Sequence, residues 1–426
     1  MKRITIVSGN RIAPAATGGQ VRTLSIARAL ARSGHSVHIF STAGRKEDYR
    51  GATLRRGRAL ESAIEPHLKE STHLGLTFGV TQTLARRLDY PRVWQHHMLA
   101  SGLIPKQLKQ ALRESDIIMS DLPYCPPIPG PWRAKPWYLI SHNLEHKLLE
   151  QSSARQRRFA SWMRGVEGAA PRTYTDILSC AEEDQAFFRA HDSRSQLRVP
   201  MVRCGVDPRL YAFSPELRPQ MRAKLGLTDA DRVLIFSGSG FAPNVEAFRE
   251  IKEFCRAEAA FMARNRVYFL VVGSVSPAAY REGALIVTGP VPEVVPYFAA
   301  SDAGVNLVTR GSGSNVKLFE YLAAGRPILA VGGSHGVLTQ SLEETHAGVH
   351  ALSPAEVRAF LLRSYREFKN SGRVQYSGDP QAIAQYSHPE MARRFAQVLD
   401  SVATGDAETN RTDVMLPSNR SKQTAL

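Results

Sequence analysis

The sequence predicts an α/β protein made of two Rossmann-like domains, and three observations carry that expectation. At 426 residues the chain exceeds what one hydrophobic core organises. Short apolar runs with strand character alternate with amphipathic helical stretches in both halves, the pattern of parallel sheets covered by helices. A stretch that is polar and then rich in turn residues, His191–Pro208, separates the two series.

In chain order, Lys2–Ser8 reads as a buried strand, Gly18–Arg32 as an amphipathic helix stopping at Ser33-Gly34, and Ser36–Ser41 as the next strand, a βαβ opening. Gly44–Ile104 is basic, dotted with aromatics, and less regular than the segments around it. Asp116–Ser120, Trp137–Ser141 and Thr175–Cys180 then predict strands, with a proline-rich loop from Pro123 to Pro136 between the first two. The second series places strands at Val233–Ser237, Tyr268–Val272, Ala284–Thr288 and Gly304–Val308, and a single closing helix over Pro380–Ala403. The expected division is 1–195, 196–379, a helix 380–403 that returns to the first domain, and a disordered tail 404–426 without periodicity.

Composition removes several function classes. No apolar run is long enough to span a membrane, and the N-terminus loses its apolar character too soon for a signal peptide. Cys125, Cys180, Cys204 and Cys255 are widely spaced, which argues against a disulfide framework or a structural zinc site and fits a reducing, cytoplasmic setting. The net charge of +16 fits a nucleic acid, an anionic membrane surface, a phosphorylated substrate or a merely soluble basic surface. No nucleic-acid module is present, so nucleic acid is not expected as a partner. Part of the charge is concentrated in Arg45, Lys46, Arg50, Arg55, Arg56 and Arg58, and in Arg155, Arg157 and Arg158.

The most informative segment runs from Arg310-Gly311-Ser312-Gly313-Ser314-Asn315-Val316-Lys317 through Leu318-Phe319-Glu320-Tyr321-Leu322-Ala323-Ala324-Gly325-Arg326-Pro327. A strand ends in a Gly/Ser loop that opens a helix. Glycines let backbone approach a ligand, and the helix start offers free N–H groups and the positive dipole end. Lys317 adds a full charge beside a diphosphate, and Glu320, one turn on and roughly 4.5 Å along the axis, is placed for a ribose. The same residues would also serve as an exposed Lys–Glu helix pair after an ordinary turn.

This segment resembles the donor-site motif of the retaining family 4 glycosyltransferases, the group 1 enzymes of GT-B fold. Further pieces resemble that family in the right order: Gly18-Gly19-Gln20 with Gly34-His35, Arg203-Cys204-Gly205-Val206-Asp207, Phe213-Ser214-Pro215, Phe236-Ser237-Gly238-Ser239 with Pro243-Asn244, and Val287-Thr288-Gly289. The variant opening at Phe236 is similar to that of exopolysaccharide and lipid-linked sugar transferases. The resemblance implies two Rossmann-like domains facing across a cleft, with the donor nucleotide sugar held mainly by the second. It implies donor contacts from Gly18, Gly19, Gly238, Arg310, Gly311, Ser312, Gly313, Ser314, Asn315 and Val316, and catalytic roles for Lys317, Glu320 and His142. Two departures stand out. Ser312 occupies the first position of the family's acidic pair, and Ser239 and Asn244 stand where an Arg and a Lys usually hold the diphosphate. Arg310 is a candidate for the missing cation.

His142-Asn143-Leu144-Glu145-His146 also has the inverted zinc-protease pattern, which needs both histidines one turn apart on a helix. Here, however, the strand Trp137–Ser141 runs directly into His142, placing it at the carboxyl edge where open α/β sheets bind ligands. In the resembled family a histidine at that strand end contacts the sugar. Asp229-Ala230-Asp231 sits in a turn before a strand, where aspartates are ordinary.

The expected function is transfer of a hexosyl group from a nucleoside-diphosphate sugar to a glycan or lipid-linked acceptor in polysaccharide biosynthesis. By resemblance the reaction retains configuration and needs neither cofactor nor metal. Alternatives are a nucleotide-sugar epimerase or hydrolase of the same fold, a zinc peptidase through His142 and His146, and a non-catalytic binding protein. An anionic membrane surface is expected as a further partner of the basic N-terminal half, with Leu74, Leu76, Phe78, Leu84, Trp94 and Met98 as its apolar component.

Overall fold

A computed structural model of the chain describes residues 1–15, 17–44, 59–73, 91–193, 197–202, 205–206, 208–240, 242–307, 316–332, 337–372 and 375–403. The first sheet contains β1 (Arg3–Ser8), β2 (Ser36–Ser41), β3 (Ala59–Glu65), β4 (Leu68–His73), β5 (Ile117–Asp121), β6 (Trp137–Ile140) and β7 (Asp176–Leu178), in the order β3-β4-β2-β1-β5-β6-β7. The second contains β8 (Arg232–Ser237), β9 (Val267–Val272), β10 (Tyr280–Glu282), β11 (Leu285–Val287), β12 (Ala303–Asn306), β13 (Ile328–Val331) and β14 (Gly348–Ala351), in the order β10-β11-β9-β8-β12-β13-β14. Each sheet is parallel except for one antiparallel edge hairpin, β3–β4 and β10–β11. Without the outermost hairpin strand, both orders read third, second, first, fourth, fifth, sixth. That is the doubly wound Rossmann order, repeated. Each repeat reverses direction at one point, between β1 and β5 and between β8 and β12, and there the carboxyl ends of the strands open a crevice for ligands.

Strand residues alternate between two apolar layers, as the period of two requires. Ile4 and Ile6 pack with Leu24 and Leu30 of α1 (Gly18–Arg32) on one face, and Val7, Ile118 and Leu139 pack on the other. In the second sheet Val233, Ile235, Leu270 and Val272 face one layer, and Leu234, Phe236, Phe269 and Val271 the opposite one. Three further helices stand at the edge of the first sheet: α2 (Pro91–Ala100), α3 (Glu145–Glu150) and α4 (Ala160–Thr173). In the second domain α5 (Val316–Ala323) carries Leu318 and Leu322 into the core. The last helix, α6 (His388–Ala403), lies along α1 and inserts Met391 and Phe395 into the core of the first domain.

The chain enters the second domain through residues 205–206 and comes back through 386–388, and the two passages are bonded side by side. Val206 N donates to Tyr386 O and His388 N to Val206 O, both at 2.9 Å. Gly205 allows this approach, since a Cβ there would stand 2.9 Å from Tyr386 O. The same contact corrects the single closing helix expected from sequence. Val206 pairs with Ser387 as a strand would, so the backbone leaves the helix after Pro380–Ala384 and resumes at His388.

Gly44–Ile104, expected to be less regular than its surroundings, contains elements that the sequence reading did not name. Its described residues form the β3–β4 hairpin and α2. The hairpin turns at His67 with φ 62 instead of at a glycine, and β4 reads Leu-Lys-Glu-Ser-Thr-His, too polar to announce a buried strand. Glu70 is nonetheless fully buried, because it accepts from Ile12 N at 2.6 Å, Ala13 N at 2.9 Å and the Ser41 hydroxyl at 2.7 Å. A carboxylate so bonded replaces its lost hydration and pins the loop between β1 and α1. The basic cluster Arg45–Arg58, the apolar residues Leu74–Leu84 and the expected tail 404–426 lie outside the described residues. Among the described residues no helix is long and apolar enough to cross a membrane.

Candidate active site

On the first sheet, the reversal point is closed by side chains at the ends of β1 and β5. The Ser8 hydroxyl donates to Asp121 Oδ2 at 2.7 Å, and the Thr23 hydroxyl to Asp121 Oδ1 at 2.6 Å. His142, the first residue past Ser141 at the end of β6, places Nε2 2.9 Å from Asp121 Oδ1 and 3.2 Å from Thr23 Oγ1. Burial alone would raise the Asp121 carboxyl, but the hydrogen bonds it accepts from His142, Thr23 and Ser8 bring it below the usual carboxylate range. Gly19, in the first turn of α1, lies over the imidazole, with the position of a would-be Cβ 3.7 Å from His142 Cδ2. Thr17 caps that helix in a capping box with Gln20, so Gly18 and Gly19 bring the free N–H end of α1 to the same crevice. Gly18, Gly19 and His142 are thus brought together.

On the second sheet, Gly238 follows β8 at the corresponding edge. A Cβ there would lie 3.0 Å from the Phe236 ring and 3.2 Å from Val275, so the position is close-packed. Lys317 and Glu320 project from the first turns of α5. The Lys317 ammonium donates to Asn244 Oδ1 and lies 4.6 Å from the centre of the Phe236 ring. The Asn244 amide donates in turn to Ser239 O and Oγ, each at 3.2 Å. Ser239 and Asn244, the two positions that depart from the family pattern, therefore sit beside Lys317. Glu320 accepts from the Ser237 hydroxyl at 3.5 Å and is bonded by Tyr211. Its neighbour Tyr321 fixes the helix. The ring covers Gly304, where a Cβ would stand 2.5 Å away, and its hydroxyl donates to Val305 O at 3.0 Å.

As whole residues Lys317 and Glu320 are half-buried, but their charged ends are enclosed. Burial pulls the Lys317 ammonium down to about 7 against the opposing attraction of Glu320. Burial likewise pushes the Glu320 carboxyl up to about 7, opposed by Lys317, Ser237 and Tyr211. Two groups whose environments work against their own charges are a mark of functional sites, here found beside a helix N-terminus. Val316 opens α5. Arg310, Gly311, Ser312, Gly313, Ser314 and Asn315 lie outside the described residues.

The His-x-x-Glu-His pattern does not form one helical face. His142 precedes α3, which begins at Glu145, and the two histidines are held by different carboxylates. His146 Nδ1 is 2.5 Å from Glu167 of α4. The same carboxylate accepts from Glu145 N at 2.7 Å and His146 N at 3.2 Å, capping α3 from a neighbouring helix. Among the described residues no group of three or more His, Cys, Asp or Glu is arranged to hold a metal. Asp231 closes its own turn by accepting from Thr228 N at 2.6 Å and Arg266 Nε at 2.9 Å.

Sequence reasoning missed Asp121, Thr23 and Arg22. Asp121 ends β5 at the reversal point, a position that the strand order would have flagged had it been available.

Residues 231–363 match the family model described as "Glycosyl transferases group 1". This segment is similar to the group 1 glycosyl transferase domain. The match covers β8 to β14 and includes Gly238, Lys317 and Glu320. No curated protein sequence matches the chain. Among solved structures, sucrose-phosphate synthase from Thermosynechococcus elongatus is 14% identical with a TM-score of 0.61, covering 95% of this chain and 100% of that one. HepE of Anabaena, solved in complex with UDP-glucose, is 15% identical with a TM-score of 0.59, covering 94% and 100%. A UDP-forming α,α-trehalose-phosphate synthase from Burkholderia xenovorans, solved in complex with glucose-6-phosphate, is 15% identical with a TM-score of 0.61, covering 93% and 100%. At such identities the likeness shows the fold: the chain is a GT-B protein of two Rossmann-like domains.

Proposed function

We propose that the protein is a hexosyl-type glycosyltransferase that moves a sugar from a nucleoside-diphosphate sugar to a glycan or lipid-linked acceptor, with retention and without a metal. The observation that carries this reading is the enclosed Lys317–Glu320 pair, on the helix that opens directly after the Gly/Ser loop. The hard step is departure of the diphosphate, on which negative charge accumulates. Lys317 and the N-terminus of α5 supply positive potential to it from the second domain, and the N-terminus of α1 at Gly18-Gly19 does so from the first. Glu320 takes the ribose. The Asp121–His142–Thr23 cluster forms the sugar end, and a phosphate oxygen of the leaving group accepts the acceptor's proton, so no dedicated base is needed. HepE holding UDP-glucose and the trehalose-phosphate synthase holding glucose-6-phosphate support a nucleotide sugar as donor and a sugar as acceptor. The buried free thiols of Cys125 and Cys255 fit a reducing, cytoplasmic setting.

A screen of nucleotide sugars by thermal shift tests the reading, since a ligand that binds only the folded state raises the melting temperature. At least one UDP, GDP or ADP sugar should stabilise the protein in the presence of EDTA. No shift from any of them would remove the donor site.

We further propose that the first domain works at an anionic membrane surface in polysaccharide biosynthesis. Arg155, Arg157 and Arg158 are exposed, as are Trp94 at 47% and Leu103 at 67%. Basic residues contribute about 1 kcal/mol each near anionic lipid. The protein should sediment with anionic vesicles at low salt and be released at high salt, and indifference to such vesicles at low salt would point to a soluble acceptor.

A further inference from the structure

Arg22 is the residue this proposal concerns. It lies on α1 three positions after Gly19 and is 2% exposed. Its guanidinium reaches four acceptors drawn from separate parts of the chain. Nη1 donates to Ser141 O at 2.8 Å and faces His142 Nδ1 at 3.1 Å. Nη2 donates to Val202 O at 3.0 Å and Leu178 O at 3.5 Å. None of the four is a carboxylate, and among the described residues Nε has no hydrogen-bond partner. The nearby Asp184 does not compensate it as an anion. Burial, with the adjacent Cys180 thiol and Glu183, pushes the Asp184 carboxyl up to about 9 despite the attraction of Arg22, so at neutral pH it is protonated. A fully enclosed arginine bonded to carbonyls and one imidazole nitrogen is an expensive arrangement if all it does is fill space.

What it accomplishes follows from the inventory of donors. A guanidinium has only N–H groups, so His142 Nδ1 must present its lone pair to it. On the other side of the ring Asp121 is a carboxylate and only accepts, and the Thr23 hydroxyl hydrogen is already committed to Asp121 Oδ1. Nε2 therefore carries the hydrogen and points it at Asp121 Oδ1 and Thr23 Oγ1. The backbone is held as well, because the Cys180 thiol donates to His142 O at 2.7 Å. One tautomer and one ring orientation satisfy every partner.

We propose that Arg22 is a positioning residue for the transfer reaction, holding His142 as the neutral Nε2–H tautomer against Asp121 and Thr23. The proposal rests on the reading of this crevice as the sugar end of a glycosyltransferase site. In that state His142 is a hydrogen-bond donor and not a proton acceptor at Nε2, which agrees with a reaction whose base is the leaving group. The bond to Val202 O fastens the same side chain to the chain just before it crosses to the second domain.

The test uses the full-length protein labelled with 15N-histidine, with the spectrum of His142→Gln assigning the signal among the 13 histidines. Long-range proton–nitrogen correlation at neutral pH should show His142 with a protonated Nε2 and an unprotonated Nδ1. Finding it as the Nδ1–H tautomer or as imidazolium overturns the proposal, and this measurement needs no Arg22 variant. In Arg22→Gln the fixed tautomer should be lost, and kcat for consumption of UDP-glucose should fall by roughly 10²-fold, the size of effect produced by a small misplacement. The Kd for UDP should stay at the parental value, because the groups proposed to hold UDP (Lys317, Glu320 and the helix N-termini) do not include the Arg22 side chain. Parental kcat in a folded Arg22→Gln protein, or a fall matched by lost UDP binding, also contradicts it. If the parent neither binds nor consumes UDP-glucose, the glycosyltransferase reading loses support, while the spectrum still decides the role of Arg22 toward His142.

Discussion

Lys317→Ala is expected to lower nucleotide-sugar turnover by roughly 10²–10³, the loss seen when one charge-stabilising donor is removed from a site where negative charge develops. The lysine emerges at the start of α5, and its ammonium meets the Asn244 carbonyl oxygen, the Phe236 ring and the Glu320 charge. Two positions that often provide further cations are Ser239 and Asn244 here, so less reserve charge is on hand when Lys317 is lost. The side chain is also one whose removal spares the core, because α5 is anchored by Leu318, Phe319, Tyr321 and Leu322. Steady-state kinetics of nucleoside diphosphate release, alongside a thermal melt, check both halves of the expectation. Activity within a few-fold of the parent would take Lys317 out of the mechanism.

Donor binding is expected to take up protons above neutral pH, and to weaken by up to about tenfold per pH unit over the alkaline range. Burial depresses the ammonium to about 7 in the free protein, so above that pH Lys317 is mostly neutral. A diphosphate brought beside it favours the cation, and the complex must acquire the proton that the free protein lacks. The sign follows directly: affinity is fully expressed below about 7 and falls as pH rises from there toward the ordinary lysine range. Glu320 works in the opposite direction. Its carboxyl is held up to about 7 by burial, and ionised Glu320 strengthens Lys317 as a cation, so the two titrate as a pair. Calorimetric titration of UDP in buffers of different ionisation enthalpy measures the uptake. A Kd that is constant between pH 7 and 9 would show that Lys317 is already charged in the free protein, or that it does not meet the diphosphate.

Much of the second domain's site was legible in the sequence because it is local. Lys317 and Glu320 are three residues apart on one helix, so helical spacing alone places both on one face. His142 was legible as the residue that follows a short apolar strand. The partners that give His142 its state were not, since Arg22 and Asp121 lie 120 and 21 positions away and meet it only when the strands take their doubly wound order. Helical periodicity marks Arg22 as one polar residue among others in an amphipathic helix. Glu70 escaped for the same reason: a strand containing it looks solvated until two backbone N–H groups and Ser41 converge on the carboxylate. The break before His388 is reinforced from a distance by Val206, but it also carries a local signal that the single-helix expectation passed over: Ser387 precedes Pro389 and Glu390 as a helix start does, and its hydroxyl accepts from Glu390 N at 3.3 Å.

The central claim is that a nucleoside-diphosphate sugar is consumed in the crevice between the two reversal points, with charge supplied by Lys317 and no metal required. Its most direct test is release of nucleoside diphosphate from the sugar nucleotide that stabilises the protein most, measured with excess EDTA for the parent and for Lys317→Ala. Undiminished release by the parent in EDTA and near-complete loss in the variant is the predicted result. Release that depends on added zinc or another divalent ion, or that survives in Lys317→Ala, would contradict it.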